Sequence, residues 1–72
     1  QPATLAVMHA VPQWRQQGLP VAYTIDAGPN VHVLTLAGYA GEVADRLKRI
    51  PGVGQVLTAA PGGPARLLSP AR

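Results

Sequence analysis

The sequence predicts an α+β fold in which helices cover one face of a sheet. The side chains of residues 21–26 alternate in direction, which is typical of a strand. Apolar residues recur at helical spacing over residues 38–50. The predicted order, helix-strand-strand-helix-strand, matches a split β-α-β unit whose opening strand is missing. We therefore expect a partial ferredoxin-like sandwich.

The first predicted helix covers residues 3–17. Its apolar residues recur every three positions and could face a core, and they are Leu5, Met8, Val11 and Trp14. Pro12 cannot donate to the carbonyl of Met8, so we expect it to kink or restart the helix. Gly18 is a natural end for this helix.

A β-hairpin is predicted to follow the first helix. Its strands are residues 21–26 and 31–36, and residues 27–30 form the turn between them. Pro29 fixes its own φ angle, and Asn30 tolerates a left-handed conformation, so both residues suit this turn.

The second predicted helix covers residues 38–50. Its apolar stripe consists of Tyr39, Val43, Leu47 and Ile50. On the polar face, Glu42 is four residues before Arg46, and Asp45 is four residues before Arg49. Acid-to-base pairs at this spacing stabilise a helix by a few tenths of a kcal/mol.

The remaining residues predict strands and a turn. A third strand is expected over residues 53–59, a turn over 61–64, a short final strand over 65–68, and a loose tail over 69–72. The missing opening strand would leave a gap with unpaired backbone groups, which are templates for another chain. We therefore expect a homo-oligomer, most simply a twofold dimer. The alternative is a monomer whose short final strand closes the sheet internally.

Length and composition limit the class of protein. The 72 residues (7.5 kDa) form one partial domain at most, and the absence of cysteine excludes disulfides. Charged residues are 12% of the chain, about half the usual share, which suggests that a missing portion covers some of the surface. No apolar run approaches the roughly 20 residues of a membrane span, so we expect no membrane insertion.

Few residues could carry chemistry. Asp26 ends a predicted strand before a turn, a position where aspartate commonly caps the backbone. From the residues alone, Asp26 is either such a turn cap or a functional carboxylate. His9 and His32, without cysteine or clustered acids, predict no metal site, and we interpret each as a structural residue. The basic cluster at residues 46–49 lacks interleaved aromatics, so we expect a solvated helix face and no nucleic-acid binding.

The run of residues 21–30, Val-Ala-Tyr-Thr-Ile-Asp-Ala-Gly-Pro-Asn, closely resembles the signature near the C-terminus of diphosphomevalonate decarboxylases. These belong to the superfamily of galactokinase, homoserine kinase and mevalonate kinase. Residues 1–4 resemble the start of the helix before that signature, and residues 50–68 resemble the last two strands of the family. Pro12 and the short turn at residues 61–64 depart from the pattern.

The resemblance implies a function for this chain. It implies ATP-dependent decarboxylation of mevalonate 5-diphosphate to isopentenyl diphosphate, in the mevalonate pathway of isoprenoid biosynthesis, in the cytoplasm. Asp26 would be the catalytic residue, facing the tertiary 3-hydroxyl, and Ala27 would contact the substrate. The chain would be the C-terminal portion of a larger enzyme whose missing N-terminal portion binds most of the ATP and Mg²⁺. We therefore expect the isolated chain to be inactive.

Two other functions fit the same residues. A phosphomevalonate decarboxylase would act on the monophosphate, and the groups that would distinguish the two substrates lie outside this chain. A free-standing ferredoxin-like module for binding or dimerisation would instead require a complete set of elements.

Overall fold

Two helices and four strands make up the fold in a computed structural model that describes residues 2–25 and 30–71. The elements are α1 (Pro2–Gln16), β1 (Val21–Ile25), β2 (Val31–Leu36), a 3₁₀ turn (Ala37–Tyr39), α2 (Ala40–Lys48), β3 (Gln55–Gly62) and β4 (Ala65–Ala71). The predicted α+β class is confirmed, and the architecture is compatible with a partial ferredoxin-like fold. Neither helix in the described ranges is long and apolar enough to cross a membrane.

The four strands form one antiparallel sheet in the order β1-β2-β4-β3. The last strand therefore lies between β2 and β3, in the position that a split β-α-β unit gives to its opening strand. The gap that we expected in the sheet is filled by β4. This is the internal closure that was the alternative to a homo-oligomer.

Residues 69–71 are part of β4, so the prediction of a loose tail over residues 69–72 was wrong for them; Arg72 lies outside the described residues. The strand pairs with β2 over Ala65–Leu68 and with β3 as far as Ala71. Pro70 lies within this stretch of β4 although proline lacks the N–H that a strand partner would accept. The strand tolerates Pro70 because, among the described strands, residues 69–71 pair with β3 alone.

Both helices pack on one face of the sheet and enclose the core there. The buried apolar residues come from both helices, from β1, β2 and β4, and from the segment between α1 and β1, and they are Val7, Val11, Leu19, Val21, Val31, Val33, Val43, Leu47 and Leu68. The predicted stripe of α2 is confirmed at Val43 and Leu47 and was wrong at Tyr39, which is 42% exposed in the 3₁₀ turn. That turn precedes α2, so the helix begins later than predicted, and it also ends earlier, at Lys48.

The predicted apolar stripe of α1 was partly wrong. Val7 and Val11, four residues apart, point into the core, whereas Leu5 is 61% exposed. An α-helix has 3.6 residues per turn, so residues that repeat strictly every three positions do not stay on one face of the helix. Pro12 does not restart α1, which continues through it, and its side chain faces solvent.

Candidate functional site

The strand β1 leads directly to the predicted catalytic residue. It ends at Ile25, and β2 begins at Val31. Asp26 and Ala27, with the rest of the predicted turn up to Pro29, lie outside the described residues. The structure therefore gives the strands that flank the site and not the site's own side chains.

The register of the strands sorts their side chains onto two faces. One face packs under the helices. We call the other the open face, and its residues are Ala22, Thr24, His32, Leu34, Leu36, Gln55, Leu57, Ala59, Ala65, Leu67, Ser69 and Ala71. None of these residues is Asp, Glu, Lys or Arg, and Leu36 and Leu57 are 46% and 55% exposed. The open face is thus largely apolar and uncharged in the part of the chain that the structure describes.

A row of polar residues crosses the open face near the β1–β2 turn. Thr24 is the cross-strand partner of His32. The Nδ1 atom of His32 lies 2.9 Å from the hydroxyl oxygen of Ser69, a hydrogen bond whose donor depends on the histidine tautomer. This row is the described polar group on the open face nearest in sequence to Asp26.

The sequence did not predict the pairing of His32 with Ser69. His32 was interpreted as a structural residue, and Ser69 was placed in a loose tail. The alternation of His32 with Val31 and Val33 was the one signal that its side chain points to the face opposite the core. The partner could not be foreseen because it depends on the position of β4 in the sheet.

A shallow groove of about 560 Å³ lies at the other end of β1, away from the β1–β2 turn. It is lined by Arg15, the segment from Gly18 to Ala22, the end of β2 and Ala65. In its wall the hydroxyl of Thr35, 5% exposed, donates to the carbonyl of Pro20 over 2.7 Å. Throughout the described ranges, every buried side-chain nitrogen or oxygen atom has a hydrogen-bond partner. The groove therefore contains no unsatisfied buried polar group that would favour a ligand.

The charged residues of α2 form a solvated cluster against α1. Arg46 makes the predicted ion pair with Glu42 at 2.8 Å, and its guanidinium also donates to Gln17 and lies 5.7 Å from the ring centre of Trp14. The expected pair of Asp45 with Arg49 does not form within 4 Å in this described helix. The cluster contributes contacts between the helices, as a solvated face does.

The two histidines lie on opposite sides of the sheet. His9 is exposed on α1, whereas His32 lies on the open face across the sheet. Within residues 2–25 and 30–71, no three metal-ligating side chains of the His, Cys, Asp or Glu type come together.

Comparison with known proteins identifies no relative. The chain matches no protein-family model, no curated protein and no solved structure. The functional assignment therefore depends on the residues of the chain and on their resemblance to a known signature.

Proposed function

We propose that the chain is the C-terminal portion of an ATP-dependent diphosphomevalonate decarboxylase and supplies its catalytic carboxylate, Asp26. The observation that carries the proposal is the run of residues 21–30, which resembles the signature of that family. The structure supports it to the extent that β1 ends at the residue before Asp26 and is held by pairing with β2. A strand end next to a turn holds a reacting group more firmly than a long loop.

A lone carboxylate suits the chemistry of a tertiary alcohol. The 3-hydroxyl of mevalonate diphosphate is a poor nucleophile at neutral pH. In the proposed reaction, the carboxylate of Asp26 accepts a hydrogen bond from this hydroxyl and takes its proton as the phosphoryl group is transferred. Ala27, which has a small side chain, lies against the substrate. Loss of phosphate and CO₂ from the phosphorylated intermediate then leaves the double bond of isopentenyl diphosphate.

The nucleotide is assigned to the missing portion of the enzyme. ATP with Mg²⁺ supplies the phosphoryl group, and its binding needs cationic side chains and backbone donors around the phosphates. The chain lacks the Gly-x-x-x-x-Gly-Lys-Ser/Thr pattern, and its Pro-Gly-Gly-Pro run at residues 61–64 has neither the lysine nor the hydroxyl. A cytoplasmic location is part of the same proposal, and the absence of cysteine is compatible with it.

The test is Asp26→Asn in the longer enzyme that contains this chain, measured as ATP-dependent release of CO₂ from mevalonate diphosphate. Asparagine keeps the shape of the side chain but cannot accept the proton. We expect kcat to fall by about 10²- to 10⁴-fold with little change in KM.

Asp45→Asn is the matched control, since it removes an exposed carboxylate from α2, and its kcat should stay within about threefold of wild type. The 72-residue chain alone should release no CO₂. An Asp26→Asn enzyme as active as the control would return Asp26 to the role of a turn cap. Activity with the monophosphate in place of the diphosphate would identify a phosphomevalonate decarboxylase instead.

A binding or dimerisation module is the second candidate, and one observation favours it. Because β4 occupies the central position, the described residues alone form a four-stranded sheet with an enclosed core. Such a module needs no carboxylate at residue 26. A longer protein without decarboxylase activity, together with cooperative unfolding of the 72-residue chain, would favour the module.

A further inference from the structure

The outer edge of β3 is uncharged and open to solvent. Seven of its eight residues, Gln55–Gly62, are exposed, and only Val56 is half-buried. Within the described sheet, β3 pairs with β4 on one side and with no strand on the other. Its outer edge therefore presents unpaired backbone N–H and C=O groups, which can pair with another extended chain.

Protection against edge pairing is confined to one end of β3. Proteins usually protect edge strands with charged residues, prolines or bulges. In β3 the irregular register between Ala59 and Gly62, with Pro61 inside it, protects the far end. Residues 55–59 have no charge, proline or bulge. The opposite edge, β1, is only five residues long, directly follows Pro20 and has Arg15 beside its first residues.

We propose that residues 55–59 of β3 pair, antiparallel, with the same residues of a second copy of this chain. The gap on which our expected homo-oligomer depended is filled by β4, so strand pairing with a second copy would use an outer edge of the sheet. A twofold axis at Leu57 places Gln55 opposite Ala59 and Val56 opposite Thr58. Every one of these pairs is uncharged, so the edge is complementary to itself, as a twofold interface requires.

Leu57 is the residue whose side-chain environment changes most in this pairing. It lies on the open face as the partner of Ser69, and 55% of its surface is exposed in one copy. In the dimer its side chain contacts Leu57 of the second copy across the axis. Aliphatic contacts of this kind between directly opposed residues stabilise antiparallel strand pairs.

The size and charge of the two copies define the expected behaviour of the dimer. A pair of five-residue strands buries less than the roughly 1,200–2,000 Å² of a standard interface, so dimerisation should be weak and concentration-dependent. Each copy has a net charge of +3, so the copies repel one another. Added salt screens that repulsion and should strengthen the dimer, whereas it weakens interfaces formed by ion pairs.

The experiment is sedimentation equilibrium of the 72-residue chain from about 10 μM to about 1 mM, the range suited to a small transient interface. We expect a monomer–dimer equilibrium for the wild type. In Leu57→Lys, like charges face each other across the axis, and the dissociation constant should rise at least about tenfold. Thr24→Lys is the matched control, because it adds the same charge to an exposed residue of the other edge.

A charge-reversal mixture separates edge pairing from a general effect of charge. Leu57→Glu and Leu57→Lys should each be monomeric alone and should form a heterodimer when mixed, in a manner that weakens with salt. Circular dichroism of each variant shows whether it is folded. A monomeric wild type over the whole range, equal loss of dimer in Thr24→Lys, or no heterodimer in the mixture would overturn the proposal. The inference goes beyond the proposed function and does not depend on it.

Discussion

Gly52 holds the turn after α2 close to the start of α1. Its φ angle is +94°, a backbone conformation that residues with a side chain rarely adopt. A Cβ atom at this position would also lie 3.1 Å from the Cβ of Ala3, closer than ordinary van der Waals contact. The conformation and the contact both favour glycine at this residue.

We therefore expect Gly52→Ala to lower the free energy of unfolding by about 1 to 3 kcal/mol, the usual range for a strained backbone. Gly41→Ala is the control, because Gly41 lies in α2 and a Cβ there meets no atom within 4 Å. It should leave the stability unchanged or raise it by up to about 1 kcal/mol. Urea denaturation measures both. Equal midpoints for the two variants would show that the turn relaxes without strain.

Sequence reasoning about the candidate site was limited to residues that are adjacent in the chain. Asp26 and Ala27 were chosen because adjacent residues form a signature, and their roles stay predictions. The pairing of His32 with Ser69 was missed because the two residues are 37 apart and meet through the sheet. Local patterns predict which face of a strand a residue occupies, but not which distant strand lies beside it.

Arg46 links the two helices through a single side chain. It pairs with Glu42 on its own helix, and it contacts Trp14 and Gln17 of the segment that ends α1. An ion pair four residues apart contributes about 0.3–0.5 kcal/mol, and a partly exposed cation–π contact contributes about 0.5–1 kcal/mol. The contact with the aromatic ring is therefore the larger effect.

Arg46→Ala should lower the free energy of unfolding by about 1 kcal/mol and shift the emission of Trp14, the one tryptophan of the chain. Arg49→Ala removes the same charge from the residue directly after α2, whose side chain makes no ion pair or hydrogen bond within the described residues. It should change the stability by less than about 0.5 kcal/mol and leave the emission unchanged. Fluorescence-detected urea denaturation gives both readings. Identical behaviour of the two variants would mean that Arg46 contributes only its charge.

The helices and strands were predicted where a short segment of the sequence has a clear apolar periodicity. The hairpin, α2 and the core residues Val43 and Leu47 follow from alternation and helical spacing. The core face of α1 could not be predicted from the sequence, because apolar residues occur on several sides of that helix. Packing against the sheet decides which of them are buried. The length of β4 could not be predicted either. Proline usually marks the end of a strand, and it is tolerated within one only where that side of the strand has no hydrogen-bonded neighbour.

The whole molecule depends on β4, because this strand joins its two hairpins. It pairs with β2 on one side and with β3 on the other, so β3 is attached to the described sheet through β4 alone. Leu68, at the middle of β4, is 0% exposed and lies opposite Val33 of β2. Packing at this residue holds both halves of the sheet under the helices.

Leu68→Ala should lower the free energy of unfolding by about 2 to 5 kcal/mol, the range for removing a buried leucine side chain. A 72-residue domain at the usual stability per residue has only about 4 to 11 kcal/mol in total, so the loss is severe. Leu57→Ala, an exposed leucine on the neighbouring strand, should lose less than about 1 kcal/mol at low protein concentration. Thermal unfolding followed by circular dichroism compares them, and similar losses would contradict a central role for β4.

The position of β4 also means that this architecture can be reached by a circular permutation. The carbonyl of Ala71 accepts a hydrogen bond from Gly54, and Gly52 lies against Ala3, so the end of β4 and the start of α1 border the same short segment. A short linker between them, with a break in the β3–β4 turn, would place β4 ahead of α1. The chain would then run β-α-β-β-α-β through the same contacts, so the connectivity of this fold can change while its packing stays the same.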